Sequence, residues 1–275
     1  MPTYEPFDWY ETPLFYDMVF DAGTAQEADF LEAVVKKHCA PPADRKQLAI
    51  LEPACGSGRV MAELAQRGHR VAGVDLSKGM LEYARKRFKN SGLSPGSAKL
   101  LLGPMQDFDL MKHAEPGGYD LAHVLVSSFK YLLAEDDAAQ CLRCACDHLR
   151  PGGVFVLGLH LAEYDHDEAV TERWRVKRDG VSVSCNIKTS PADRKTRTER
   201  MRSRITARYD DGSPDRQYET NWQFRTYSPS QLRSLLRKEP RLKHVATYTF
   251  HHDINRKTAL DSDDLGVVQV LRRDK

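Results

Sequence analysis

The sequence predicts a doubly wound α/β fold whose largely parallel sheet is interrupted, late in the chain, by an antiparallel insertion. Three observations predict it. Short apolar runs alternate with amphipathic helical stretches between Leu48 and Leu159, the rhythm that sets parallel strands side by side with helices on both faces. From about Glu163 to Tyr227 period-2 patterning takes over, as half-buried antiparallel strands require. A helix over Gln231–Lys238 and strands near Lys243–Phe250 and Gly266–Arg272 then bring the main sheet to seven strands.

The elements follow in order. Thr12-Pro13 reads as a cap with proline at the first helical position, opening Leu14–Phe20. Thr24-Ala-Gln-Glu27 has the form of a capping box, with Phe30, Leu31, Val34 and Val35 as the apolar face behind it and Pro41-Pro42 as the stop. Leu48–Leu51 is the first strand, followed by a glycine turn and a helix through Val60, Leu64 and Ala65. Arg70–Val74 is the second, after which Ser77 caps a helix carrying Met80, Leu81, Ala84 and Phe88. Lys99–Leu102, Leu121–Val126 and Val154–Leu159 are the third to fifth, the last entered through the turn Leu149-Arg-Pro-Gly-Gly153. In the insertion, Asp179-Gly180 and Asp211-Gly212 are hairpin signals between alternating strands. The chain thus divides into a helical cap (1–45), an α/β core (46–162), an antiparallel lid (163–227) and a closing helix and strands (228–275).

Composition excludes several classes. A net charge of +2 argues against a polyanionic partner for the chain as a whole. No apolar run approaches the ~20 residues needed to cross a bilayer. The segment Met1-Pro-Thr-Tyr-Glu-Pro-Phe-Asp has neither the basic region nor the apolar core of a secretory signal. Six cysteines in a chain with an ample core read as reduced thiols, so a cytoplasmic setting is expected. Cys141, Cys144 and Cys146 are close in sequence, but residues two apart on a helix lie about 200° apart. Cys144 and Cys146 therefore cannot converge on one ion, and no metal is expected.

The chemistry concentrates at strand ends. Glu52-Pro-Ala-Cys-Gly-Ser-Gly58 joins the first strand to its helix, where glycines admit a ligand close to the backbone and the helix N-terminus favours negative charge. Such a turn also serves purely steric ends. It fits the dinucleotide fingerprint poorly, since the third glycine would fall at Met61. Asp75 ends the second strand, where a carboxylate accepts from both hydroxyls of a ribose; alone it also reads as an ordinary acidic loop residue. Asp107 follows the third strand, placed to accept from an adenine amine between apolar walls from Met80 and Met105, each of which taken singly reads as core packing.

In order and spacing, Glu52-Pro-Ala-Cys-Gly-Ser-Gly, Val74-Asp-Leu-Ser-Lys-Gly-Met-Leu, the Asp107 segment, Tyr119-Asp-Leu and Leu149-Arg-Pro-Gly-Gly together resemble the class I, Rossmann-like S-adenosylmethionine (SAM)-dependent methyltransferases, over roughly Leu48–Leu159. The resemblance implies SAM as cofactor. Glu52, Ala54, Cys55, Gly56, Ser57 and Gly58 would surround its methionine part, Asp75 and Leu76 its ribose, and Met80, Met105, Gln106 and Asp107 its adenine. Cys55 departs from the glycine usual at its position. Arg59 would hold the cofactor carboxylate or face solvent. Phe15-Tyr16-Asp-Met resembles the N-terminal lid helix of small-molecule methyltransferases, with Tyr16 closing over the cofactor; the insertion resembles their acceptor-covering lid. Ser127, Ser128 and Phe129 would stand between cofactor and acceptor, or form a serine-capped turn, and Val126 and Ser127 would touch the cofactor.

The implied activity is methyl transfer to an oxygen or nitrogen of a small molecule. His160, at the carboxyl end of the fifth strand, is the candidate base, against a structural histidine. His123 reads as core, and His251-His252 as either near the site or exposed. The insertion is basic: twelve Lys/Arg against four acids from Thr171 to Arg208, with Arg200, Arg202, Arg204 and Arg208 on one strand face. That row is either a solvated face or a seat for an anionic acceptor or a nucleic-acid backbone. A nucleic-acid methyltransferase is therefore the alternative, followed by a noncatalytic SAM- or nucleotide-binding module and an NAD(P) oxidoreductase.

Overall fold

The computed structural model describes residues 4–40, 46–93, 96–114 and 117–274. The chain runs β1 (Glu5–Pro6), α1 (Pro13–Phe20), α2 (Thr24–His38), β2 (Ala49–Pro53), α3 (Arg59–Gln66), β3 (Arg70–Asp75), α4 (Lys78–Asn90), β4 (Ala98–Leu102), β5 (Tyr119–Val124), α5 (Glu135–His148), β6 (Leu149–His160), β7 (Val170–Arg178), β8 (Val181–Thr189), β9 (Thr198–Tyr209), β10 (Arg216–Arg225), α6 (Pro229–Leu236), β11 (Leu242–Thr249) and β12 (Gly266–Arg273).

Two sheets organise it. The larger has the order β11-β12-β6-β5-β2-β3-β4, parallel except where β12 lies antiparallel to both neighbours. This is the predicted seven-stranded, doubly wound sheet. Its central strands are buried on both faces: Leu51 and Leu157 enter one apolar cluster, Ile50 and Val156 the other. Each such side chain contributes about 1.5–3 kcal/mol relative to exposure. The smaller sheet, β1-β10-β9-β8-β7, joins the four antiparallel strands of the expected lid to β1, which comes from the segment expected to be a helical cap. Asp179 (φ 50°) and Gly180 (φ 76°) turn its first hairpin, as the Asp-Gly pair predicts.

Several local expectations need correction. Thr24 and Glu27 form no capping box: the N-cap is Gly23, the Thr24 hydroxyl donates to Asp21 O, and the Glu27 carboxylate is taken by Arg59. Leu149–Gly153 is no free turn but the start of β6, since Leu149 already pairs with Tyr119. The fourth core strand begins at Tyr119 and ends at Val124, two residues early, because Val126 and Ser127 both take the left-handed conformation (φ 55° and 63°). The last helix runs Pro229–Leu236, opened by a capping box between Ser228 and Gln231. Pro41-Pro42 lies outside the described residues.

The N-terminal segment is joined to the lid. Strand β1 adds in parallel to β10, and Trp9, Phe15, Met18 and Val19 bury against Val183, Cys185, Ile205 and Tyr218. Helix α1 is thereby held between the lid and the carboxyl edge of the main sheet. Among the described residues no helix is long and apolar enough to cross a membrane.

Candidate functional site

The site is built where β2, β3, β5 and β6 end. Strand β2 stops at Pro53, and Ala54 (φ 59°) swings the chain into the turn. Gly58 (φ 68°) then starts α3, and a β-carbon there would stand 2.9 Å from that of Ala84, so only glycine fits. Cys55 occupies space left by a second glycine: its Sγ lies 2.8 Å from where a Gly73 β-carbon would be. That is why this turn accepts a side chain at Cys55. The Ser57 hydroxyl donates to buried Asp17, 2.9 Å away, tying the turn to α1.

Two carboxylates flank the turn. Asp75 accepts the Gly56 N–H on Oδ2 and the Ser77 N–H on Oδ1, each at 2.8 Å. These bonds fix the carboxylate and leave further lone pairs for hydroxyl donors. Burial raises its pKa, with the two N–H groups opposing. Glu52 is the reverse case. Its Oε2 is buried without a hydrogen-bond partner, and burial lifts its pKa well above the ordinary range. A buried carboxyl oxygen with no partner fits a ligand that brings a donor, such as an ammonium. His123 Nε2, 3.9 Å away, does not satisfy it; that imidazole is wholly buried, as expected of a core residue.

Over this edge lies a cavity of about 680 Å³. On the core side Tyr16, Arg59, Val126, Ser127 and His160 line it, the predicted residues the structure brings together there. The Tyr16 ring stands 3.8 Å from a β-carbon placed on Gly56. Arg59 neither faces solvent nor stands free: it pairs with Glu27 at 2.8 Å and donates to Thr24 Oγ1. Ser127 Oγ lies 3.2 Å from His160 Nδ1 and also accepts the His160 N–H. His160 opens onto the cavity, yet the enclosing protein and the Lys130 charge lower its pKa to about 4.

The remaining predicted residues stand outside that cavity. Leu76 is 70% exposed and Asp107 is exposed, whereas Met80 is wholly buried and Met105 nearly so. The Gly103 N–H donates to Asp75 O, joining the end of β4 to that of β3. Asp75 and the Met105-Gln106-Asp107 segment thus border one shallow edge beside the cavity. The N-terminal segment crosses it: Ser77 Oγ donates to Tyr10 O, and the Tyr10 and Tyr131 hydroxyls are bonded.

Sequence reading missed most of the opposite wall. Alternate lid residues Glu172 and Trp174 (β7), Ile187 and Thr189 (β8), Glu199 and Met201 (β9), and Trp222 and Phe224 (β10) all line the cavity. Period 2 announced that one face of these strands would be inward; nothing local said that a cavity lay there. His252 also lines it, settling the position that the His251-His252 pair left open. The arginine row sits on the other face of β9. Cavity-lining Glu199 and Met201 alternate with Arg200 and Arg202, and Arg204 and Arg208 pair outward with Glu219 and Asp215.

Residues 50–153 match a sequence family described as a methyltransferase domain. The chain is 28% identical over 140 residues to dTDP-3-amino-3,4,6-trideoxy-alpha-D-glucopyranose N,N-dimethyltransferase of Streptomyces venezuelae, covering 50% of this chain and 52% of that one. It spans about half the length of the relatives it first matches. Among solved structures it resembles a SAM-dependent methyltransferase from Clostridium acetobutylicum (TM-score 0.72, 19% identity, 97% and 99% of the two chains). It also resembles the sugar N-methyltransferase KedS8 from Streptoalloteichus (TM-score 0.72, 19% identity, 100% and 96%). At such identities the structural likeness speaks for the fold, which extends over the lid as well as the core. The sequence match takes in the glycine turn, Asp75 and the Leu-Arg-Pro-Gly-Gly segment, so residues 50–153 are similar to a methyltransferase domain, and the chain as a whole has the fold of the SAM-dependent methyltransferases it resembles.

Proposed function

We propose that the protein transfers a methyl group from SAM to an oxygen or nitrogen of a small molecule held under the lid. The observation that carries this reading is the cavity itself. It is continuous from Tyr16 and Arg59, beside the glycine turn, to the aromatic face of the lid sheet, and its volume suits a small molecule. The relative named above is, by its name, an N,N-dimethyltransferase of a nucleotide-linked amino sugar, which supports a small-molecule acceptor.

The cofactor, when bound, supplies an activated methyl carbon, so the protein's work is alignment and exclusion of water. In this reading Glu52 receives the ammonium of the methionine part, with Ala54, Cys55, Gly56, Ser57 and Gly58 around it and Arg59 near its carboxylate. Asp75 takes the ribose hydroxyls, with Leu76 beside them. Met80, Met105, Gln106 and Asp107 border the adenine, and Tyr16 covers the junction. Val126 and Ser127 separate cofactor from acceptor. His160 is neutral at physiological pH, the form that accepts a proton, and its pKa of about 4 makes it a weak base. A base so weak suits a reaction driven by alignment.

A nucleic-acid acceptor is disfavoured by placement. The arginine row lies on the face of β9 turned away from the cavity, and two of its members are neutralised by neighbours. The test is transfer of a deuterated methyl group from labelled SAM to a panel of small amines, amino sugars and alcohols, read by mass spectrometry. A labelled small-molecule product, lost on Trp174→Ala or Trp222→Ala, is the expected result. Label appearing in RNA or DNA, and unaffected by those changes, would overturn the reading.

A further inference from the structure

The cavity holds three carboxylates and two fixed cations, and their pairing is uneven. Glu27 is joined to Arg59 at 2.8 Å. Glu199 is joined to Lys130 at 2.6 Å, both side chains being largely buried. Glu172, between Val170 and Trp174 on the same face of β7, makes no ion pair or side-chain hydrogen bond with any described residue and is accessible from the cavity. The two histidines of the wall, His160 and His252, both have pKa values lowered to about 4 and are uncharged near neutrality. Burial raises the Glu172 pKa above its ordinary value; ionised, Glu172 gives the lining one negative charge with no cation beside it among the described residues. Around it stand the aromatic rings of Trp174, Trp222 and Phe224 from the lid and Tyr16 and Phe20 from α1.

From this arrangement we infer that the acceptor is an apolar amine, methylated on nitrogen, whose developing ammonium is received by Glu172 and the surrounding aromatic faces. The inference rests on the methyltransferase reading and narrows it. When an amine takes a methyl group, the nitrogen lone pair forms the new N–C bond. The pair of the broken bond stays with the donor's sulfur, and the positive charge passes to nitrogen. The new ammonium then sheds a proton to solvent if it has one to lose. A fixed carboxylate and π faces stabilise that charge where it develops. An oxygen acceptor needs the opposite field, because it reacts best as an alkoxide or phenolate, which an unpaired carboxylate repels. The same balance keeps phosphate out: both cations of the wall are already paired, so a phosphorylated acceptor finds no counter-charge inside. Its phosphates must stay beyond the lid.

The test uses three probes of one shape class on the whole protein saturated with S-adenosylhomocysteine: benzyltrimethylammonium, benzyl alcohol and benzyl phosphate. Calorimetry should rank them in that order, with the cation preferred over the alcohol by about tenfold or more, the scale of a desolvated cation–π contact. Glu172→Gln should reduce that preference to within about threefold, and Glu172→Asp should retain part of it. Affinity for S-adenosylhomocysteine, measured alongside, reports whether each variant is folded. Equal binding of cation and alcohol, or tighter binding of the phosphate, would overturn the inference while leaving the methyltransferase reading intact. So would a Glu172→Gln variant that weakens SAM relative to S-adenosylhomocysteine and leaves the ammonium probe unaffected, since Glu172 would then serve the sulfonium. Failure of wild-type protein to bind either cofactor form would instead defeat the methyltransferase reading beneath it.

Discussion

Arg178, at the end of the first lid strand, donates to the carboxylate of Asp17 in α1 at 2.9 Å. The Asp17 side chain is wholly buried, and it also accepts from Ser57 in the glycine turn, Tyr83 and Arg87. One carboxylate therefore ties together the lid, the N-terminal helix, the glycine turn and α4. Removing its charge leaves Arg87 and Arg178 only their longer contacts to the partly exposed Asp21 carboxylate, at 3.6 and 3.7 Å, and breaking a buried pair from one side costs at most about 3–5 kcal/mol. Asp17→Asn should lower unfolding free energy by up to that amount in denaturant titrations. Arg178→Ala, at a partly exposed end of the network, should cost about 1 kcal/mol or less. An Asp17→Asn variant as stable as wild type would show that the junction is held by apolar contacts alone.

That junction was hidden from sequence reading, whereas the sheet edge that carries the glycine turn was not. The glycine turn, Asp75 and the Ser77 cap are local: strand, turn and helix follow within a few residues, so type and spacing reveal them. Asp17 is different, because its partners stand 40, 66, 70 and 161 positions away. The same cause undid the Thr24/Glu27 capping box, since Arg59, 32 residues on, outcompetes the backbone for the Glu27 carboxylate. Glu172 and Trp174 were legible as alternating strand residues. That their face closes a cavity depends on how the lid docks on α1, which no window of sequence contains.

His123 makes a prediction about pH. Both its ring nitrogens are buried without partners, and burial, with Arg59 adding to it, lowers its pKa to about 3. Its unfolded value is near 6.5. A histidine whose folded pKa is depressed favours the folded state fully above the unfolded pKa. That contribution is lost as pH falls toward the folded value. Relative to His123→Leu, the wild type should therefore lose thermal stability between about pH 6.5 and pH 3. At pH 7 the variant should match or exceed wild type, because it removes two unsatisfied polar atoms. Parallel melting curves across that range would contradict the assignment.

Tyr16 packs over Gly56 through its ring, and its hydroxyl makes no hydrogen bond among the described residues. Burial raises its pKa to about 12, so it is a neutral, largely apolar cover. Tyr16→Phe should leave SAM affinity within about twofold, while Tyr16→Ala should weaken it by tenfold or more, the ~1.5–3 kcal/mol of a buried large side chain. Amide exchange over residues 13–20 should slow when SAM is added. Equal affinities for the two variants, with no added protection, would remove α1 from the cofactor site.

The outward arginine row should be dispensable. The triple change Arg200→Ala/Arg202→Ala/Arg204→Ala is expected to leave SAM affinity unchanged and to abolish no binding, because these side chains meet solvent and the Glu219 carboxylate. Tight RNA or DNA binding that falls steeply with salt and disappears in this variant would place a nucleic-acid site on the lid instead.

The most direct measurement is calorimetric titration of wild type and Asp75→Ala with SAM, and of wild type with NAD. Asp75 is held by the Gly56 and Ser77 N–H groups with lone pairs to spare for hydroxyl donors. Wild type should bind SAM at one site and show no comparable affinity for NAD. Asp75→Ala, folded by circular dichroism, should lose about 1.5–3 kcal/mol, on the order of a 10- to 150-fold weaker Kd. Undiminished SAM affinity in the folded variant, or NAD bound in preference to SAM, would contradict the account.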